Sequence, residues 1–269
     1  LKEAETILME AGVPDAKYDA LVIAEHTTGK SRAALMADRF SDIGNAAFSQ
    51  AIRRRAGREP LQYIIGTWGF MDVQLDVSPD CLIPRADTEL LASLAAYRMK
   101  NGGCMLDLCT GSGCVAIAVL KACENASCVA VDLSNEAATV CEKNAAKNGV
   151  SDRITVICGD VRKSAGGGRL YNVITANPPY IREDEMASLE PELSFEPRMA
   201  LTDGGDGLSL IRAIIENYRA FLSPGGVIFI EIGSSQAKET AKIAEANGCL
   251  CVIHRDLAGR DRVAEITLG

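Results

Sequence analysis

Four consecutive residues, Asn177-Pro178-Pro179-Tyr180, directly follow an apolar run that ends at Ala176. Two prolines fix φ and remove two backbone donors, which leaves carbonyl oxygens to accept hydrogen bonds. On so rigid a loop the Asn177 side-chain oxygen and the Pro178 carbonyl hold both hydrogens of a planar NH2 group. Pro179 stiffens the loop, and the Tyr180 ring packs against the plane of the bound group. A nitrogen of that kind is a poor nucleophile, because its lone pair is delocalised. Accepting its two N–H bonds returns electron density to nitrogen and aims it at an electrophilic carbon. The alternative is a plain turn.

A second chemical feature lies upstream. The run Leu106-Asp107-Leu108-Cys109-Thr110-Gly111-Ser112-Gly113-Cys114-Val115-Ala116 ends one apolar segment and opens another. Glycines there let the backbone approach a ligand with no Cβ in the way, and the helix that follows offers unpaired N–H groups. Asp132 stands 21 residues after Gly111 at the end of the next apolar segment, where a carboxylate accepts both ribose hydroxyls. The spacing also fits the dinucleotide pattern G-x-G-x-x-A, so by itself it leaves NAD and S-adenosylmethionine both open. A glycine turn with a capping aspartate is the third reading.

These features need a scaffold, and the chain supplies an alternating one. Apolar segments at 104–108, 128–132, 154–158, 172–176, 227–232, 250–254 and 263–268 read as strands, with helices near 112–123, 134–148, 207–222 and 235–247. Continuous apolar strands separated by amphipathic helices predict a mostly parallel sheet covered on both faces. The expected class is α/β, with a Rossmann-like domain of seven strands over residues 84–269. Residues 67–83 alternate apolar and polar (Phe70, Val73, Leu75, Val77), the period of a hairpin, and are expected to connect that domain to what precedes it. A new helix is expected from Asp87 or Thr88, one of which caps it. Residues 1–66 read as a bundle of four short helices. The first is broken at Gly12-Val13-Pro14, the second capped by Asp15 and stopped at Gly29, the third opened by Ser31, and the fourth spans 45–56. No catalytic combination occurs there, which suggests a recognition module. Gly166-Gly167-Gly168 reads as a loop.

Composition narrows the function classes. The 269 residues carry a net charge of -8, with 48% hydrophobic side chains. Residues 1–66 hold nine basic and nine acidic side chains, so the whole excess of negative charge falls on residues 67–269. A field of that sign repels a phosphate backbone and disfavours direct contact with nucleic acid. Arg53, Arg54, Arg55 and Arg58 form a local basic patch, either a solvated helix face or a docking site. The ten cysteines include no C-x-x-C pair and sit mostly inside apolar runs, where a thiol acts as a small hydrophobe. With two histidines in the chain, no metal site is expected. No apolar run is long enough to span a membrane, and the opening LKEAETILME lacks a signal-like apolar stretch. The chain begins at Leu1, as a processed or trimmed one would. A reduced, cytoplasmic protein is expected.

Taken together, several segments resemble one family. These are Glu59-Pro60-Leu61-Gln62-Tyr63-Ile64-x-Gly66, Leu82-Ile83-Pro84-Arg85-Ala86-Asp87-Thr88-Glu89, Asp107 to Gly113 and Asn177-Pro178-Pro179-Tyr180-Ile181. Glu196-Pro197-Arg198, Gly204-Gly205-Asp206-Gly207-Leu208, Glu231-Ile232-Gly233 and residues 256–262 extend the set. In this combination the chain is similar to release-factor glutamine methyltransferases. The resemblance covers residues 59–269, while the helical N-terminus agrees in type.

The resemblance implies a class I methyltransferase that moves a methyl group from S-adenosyl-L-methionine to the side-chain amide of the glutamine in the Gly-Gly-Gln tip of peptide chain release factors. It implies that Cys109, Thr110, Gly111, Ser112 and Gly113 line the methionine part of the cofactor, with Asn177 close by. Asp132 and the adjacent Leu133 would serve the ribose, and Asp160 with Val161 the adenine. Asn177, Pro178 and Tyr180 would carry the chemistry, with Pro179, Phe70, Arg85 and Thr88 completing the substrate pocket. This sequence has Cys109 where many members have glycine, Ala86 where they have proline and Val161 where tryptophan is frequent. Adenine-N6 nucleic-acid methyltransferases share the Asn-Pro-Pro-Tyr motif and form the main rival. A dehydrogenase fits the glycine pattern alone and lacks a proton donor, and a non-catalytic binding module would not need the intact motif.

Overall fold

The computed structural model describes residues 1–37, 46–166 and 168–269. Among the described residues nine strands run in chain order. β1 (Thr67–Phe70) and β2 (Val73–Asp76) form a separate two-stranded sheet. β3 (Gly103–Leu108), β4 (Ala126–Asp132), β5 (Ile154–Cys158), β6 (Tyr171–Ala176), β7 (Leu222–Glu231), β8 (Cys249–Arg255) and β9 (Asp261–Leu268) form one sheet in the order β5-β4-β3-β6-β7-β9-β8. The first five strands in that order are parallel, and β9 runs antiparallel to both of its neighbours. The expected strands all form. β7 begins earlier than its apolar run, because Leu222 pairs with Tyr171 ahead of a register shift.

Helices cover both faces of this sheet. They are α6 (Glu89–Met99), α7 (Cys114–Ala122), α8 (Asn135–Lys147), α9 (Ser209–Tyr218) and α10 (Ala237–Ala246). One apolar layer joins α6 and α7 to β3 and β4 through Leu91, Met99, Met105 and Val119. The other joins α9 to β6 and β7 through Ile211, Ile215, Ile174 and Ile228. All eight residues are essentially inaccessible. Burial on both faces explains why these strands are apolar throughout rather than alternating.

The chain forms two compact units: residues 1–67 with 190–195, and residues 68–189 with 196–269. The smaller unit holds α1 (Lys2–Glu10), α2 (Ala16–Thr28), α3 (Arg32–Ala37), α4 (Ala46–Ala56) and α5 (Leu61–Ile65). Gly29 ends α2 in the left-handed conformation, but the Asp15 side chain makes no capping bond. Asn45, expected to open α4, and Gly167 lie outside the described residues. α5 has no counterpart in the sequence reading, since five residues between Pro60 and Gly66 are too short to show a period. The basic patch is largely neutralised within this unit. Arg54 pairs with Glu59, and Arg58 with Glu192. Arg55 is buried between Asp19 at 2.7 Å and Glu192 at 3.0 Å.

The β1–β2 hairpin belongs with the larger unit from Trp68 onward. Phe70, Val73 and Leu75 enter the same apolar layer as α6 and α7. Its alternation therefore reflects one face turned into that core.

Candidate active site

The sheet order reverses between β3 and β6, since β3 continues to β4 on one side and β6 to β7 on the other. Ligands in open α/β sheets bind beyond the carboxyl ends of the strands at such a point. Leu108 of β3 is paired with Ala176 of β6 and Val131 of β4. The loops beginning at Cys109, Asn177 and Asp132 thus leave the sheet side by side. They line a single cavity of about 250 Å³.

One end of the cavity is built for a cationic, hydroxylated ligand. Gly111 has φ +54° and open space where a Cβ would stand. Asp132 accepts the Gly111 N–H at 2.8 Å on one oxygen and the Ser134 N–H at 2.9 Å on the other. Each oxygen keeps a lone pair for a further hydroxyl. Burial raises its pKa, against the lowering effect of those N–H bonds. Deeper in, the Asp107 carboxylate accepts hydroxyl protons from Thr110 at 2.5 Å and Thr175 at 2.6 Å. Burial pushes this carboxyl up to about 6. Beside it Ser112 Oγ is buried without a hydrogen-bond partner among the described residues, a polar atom left for a ligand. Two carboxylates, an unspent hydroxyl and a glycine cradle fit the ammonium, ribose and chain of S-adenosylmethionine.

Cys109, Thr110, Gly111, Ser112, Asp132, Leu133, Asp160, Val161 and Asn177 all line this cavity. Cys109 sits at φ +57°, in the region that glycine enters freely, and burial raises its thiol pKa. Asp160 accepts the Arg162 backbone N–H and side-chain Nε, and Arg162 lowers its pKa. Gly113 is outside the lining. It starts α7 at φ +82°, and a Cβ there would come within 2.6 Å of Cys141 Sγ. Its glycine serves the packing of α7 on α8.

At the other end lie Asn177, Pro179, Arg85 and Thr88. The Asn177 side-chain N–H donates to Thr88 Oγ at 3.2 Å. Thr88 occupies the position expected for a cap of α6 but makes no capping bond, because its hydroxyl is turned toward Asn177 instead. Arg85 is paired with Glu196, whose carboxylate also accepts the Ile83 N–H at 3.0 Å. Pro178 and Tyr180 flank the lining without joining it. The Tyr180 hydroxyl donates to Glu231 at 3.1 Å, and its carbonyl accepts from Gln236 Nε2 at 3.0 Å. Phe70 is a correction to the expected pocket wall. It is not among the residues that line this cavity, and it packs into the core of the larger unit, so the hairpin's apolar face is spent on the interior.

Sequence reasoning did not assign Asp107, Glu231 or Glu196 a role. The first two are acidic residues inside otherwise apolar strand segments, a signal of burial with a purpose. Glu196 carries no comparable local mark.

Comparison with known proteins agrees with this geometry. The PrmC N-terminal domain model matches residues 1–66, and the methyltransferase small domain model matches residues 85–211. A release factor glutamine methyltransferase of Bordetella pertussis is 37% identical over 265 residues, covering 96% of both chains.

The chain belongs to the release factor glutamine methyltransferase family.

A Geobacter sulfurreducens member is 35% identical over 97% of this chain and 93% of its own. One from Thermodesulfovibrio yellowstonii is 40% identical over 79% and 77%. Among solved structures, a ribosomal protein L11 methylase from Lactobacillus delbrueckii superposes with a TM-score of 0.52 at 23% identity, covering 71% of this chain and 83% of that one. The hMettl16 catalytic domain gives 0.56 at 15% identity, covering 71% and 73%. At these identities the likeness is one of fold. The seven-stranded sheet with flanking helices is the Rossmann-like methyltransferase architecture that this family uses.

Proposed function

We propose that this chain methylates the side-chain amide nitrogen of the glutamine in the Gly-Gly-Gln motif of peptide chain release factors, using S-adenosyl-L-methionine. The observation that carries the reading is the pairing of Leu108 with Ala176, which sets the glycine loop and Asn177 on adjacent strand ends around one cavity.

Bound S-adenosylmethionine supplies a methyl carbon activated by its sulfonium charge, with a neutral thioether as the leaving group. Asp107, Asp132 and Ser112 hold that ligand. Asn177 and the Pro178 carbonyl accept the two amide N–H bonds, turning the nitrogen lone pair toward the methyl carbon, while Tyr180 packs beside the amide. As the new C–N bond forms and the C–S bond breaks, the nitrogen becomes strongly acidic and gives up one proton to solvent, so the site needs no strong base at the outset. Holding two reactants in line contributes roughly 7–11 kcal/mol to barrier lowering. The helical unit of residues 1–66 serves as a second contact for the protein substrate. Among the described residues no helix is long and apolar enough to cross a membrane, and the reading places the enzyme in the cytoplasm with its substrate.

The test is mass spectrometry of a purified release factor after incubation with the enzyme and S-adenosylmethionine. The expected result is a single methyl gain on the Gly-Gly-Gln glutamine. Methylation of adenine in nucleic acid, with the release factor untouched, would replace this reading by its rival.

A further inference from the structure

Behind the cavity wall lies a polar cluster drawn from separate elements: Thr88 before α6, Asn177 and Tyr180 after β6, Glu231 at the end of β7, and Arg262 in β9 with its partner Asp87 at 2.9 Å. Glu231 is 1% exposed. It accepts the Tyr180 hydroxyl proton on Oε1, while its Oε2 is buried without a hydrogen-bond partner among the described residues and the Thr88 hydroxyl lies near enough to lower its pKa. Thr88 is itself 1% exposed and accepts the Asn177 N–H.

This arrangement has a direction. Burial raises the Glu231 pKa, while the Thr88 and Tyr180 hydroxyls and the Arg262 guanidinium lower it. In its ionised form this carboxylate only accepts, so the hydroxyls facing it present their protons to it. A threonine hydroxyl has a single proton. With that proton turned to Glu231, Thr88 offers Asn177 lone pairs alone. Asn177 must then present its NH2 side to Thr88, which turns its oxygen the other way. Among the described residues no donor reaches Asn177 Oδ1, and the side chain lines the cavity. Without this constraint an Asn amide reverses by a half turn at little steric cost, and its NH2 would then face the substrate's own NH2.

We propose that Thr88, backed by Glu231, is a positioning residue that fixes the Asn177 amide with its oxygen toward the substrate nitrogen. The inference rests on the reading of Asn177 as the amide grip, and the experiment separates the two.

The full chain is assayed with a release factor as Thr88→Val, Thr88→Ser, Glu231→Gln and Asn177→Ala, alongside calorimetric Kd values for S-adenosylmethionine. Thr88→Val is expected to lower kcat by about 30-fold, while KM and the cofactor Kd stay within about three-fold of wild type. Thr88→Ser keeps the hydroxyl and restores kcat to within about three-fold. Glu231→Gln introduces a donor, frees the polarity of Thr88 and lowers kcat about 10-fold. Should Thr88→Val fail to fold, Glu231→Gln decides by the same criteria. The proposal is overturned if Thr88→Val or Glu231→Gln turns over like wild type, if Thr88→Ser is as slow as Thr88→Val, or if cofactor affinity falls in step with kcat. If Asn177→Ala also turns over normally, the grip reading itself falls. If Asn177→Ala is slow while Thr88→Val is fast, only the positioning role does.

Discussion

Gly207 lies so close to the Tyr180 carbonyl that a Cβ on it would come within 2.1 Å of that oxygen, at a φ of +74° that side chains rarely adopt. The same carbonyl is held by Gln236, and the next N–H, of Ile181, is bonded to Leu201 at 2.9 Å. Gly207→Ala therefore has to move the Asn-Pro-Pro-Tyr loop or its own backbone. The expected cost is about 1–3 kcal/mol of stability, read as a lower Tm, together with a loss of turnover. A variant with wild-type Tm and activity would show that this loop tolerates displacement.

Asn177→Ala removes the side-chain acceptor at the cavity wall. Each hydrogen bond strengthened in the transition state contributes about 1–3 kcal/mol, so turnover should fall by about 10- to 100-fold. On the proposed reading, in which Asp107 and Asp132 hold the cofactor, its Kd should move much less. Turnover within a few-fold of wild type would refute the proposed grip.

Asp132 accepts the Gly111 N–H of the glycine loop and the Ser134 N–H ahead of α8, and keeps lone pairs for a ligand. Asp132→Ala is expected to weaken S-adenosylmethionine binding by about 10- to 100-fold, as loss of charge-assisted hydrogen bonds does. Calorimetric titration measures this without any turnover. An unchanged Kd would place the ribose elsewhere.

Asp107 gives a pH signature. Burial raises its folded-state pKa from an ordinary 3.8 to about 6, so the folded protein binds this proton more tightly than the unfolded chain does. Its contribution to stability is fully present below the ordinary value and is lost as pH rises toward about 6. Asp107→Asn cannot titrate and should lack that decline. Denaturant unfolding of both proteins at several pH values in this window checks the sign, and parallel curves would refute it.

Arg55 is buried against Asp19 and Glu192, and burial raises the Asp19 pKa. Arg55→Ala strands the buried Asp19 carboxylate and leaves Glu192 to Arg58 alone, at an expected cost of about 3–5 kcal/mol. Chemical denaturation measures the loss. A shift below about 1 kcal/mol would mean that water reaches the vacated position.

Much of the catalytic half was legible because its signals are local. Seven apolar runs, the glycines around Gly111 and the doubled proline at Pro178 each state their geometry within a few residues. Asp132 was legible through a fixed distance from Gly111. Other features depend on contacts that no window of sequence contains. Thr88 read as one of two candidate helix caps and, by resemblance, as a pocket wall, but its bond to Asn177 shows only in the packing. Phe70 alternates as a half-exposed strand residue would, while the core of α6 and α7 takes it in. The departure at Cys109 was visible as a residue type, but its left-handed backbone was not. Glu192 lies in a run of short 3-10 turns with no apolar period, and its partners lie 134 and 137 residues earlier.

That last separation has a consequence during synthesis. Domains generally fold as they emerge from the ribosome, N-terminal segments first. The small helical unit emerges first, yet one acidic partner of Arg55 and Arg58 is translated long after those arginines have left the exit tunnel. Until residues 190–195 appear, Arg55 lacks one of its two carboxylate partners, with Asp19 and the Glu59 carbonyl already to hand, and Arg58 lacks its carboxylate. The earliest segment to be made is thus completed by one of the later ones, a short piece of the same unit that the ribosome delivers only after most of the larger unit's strands have been made.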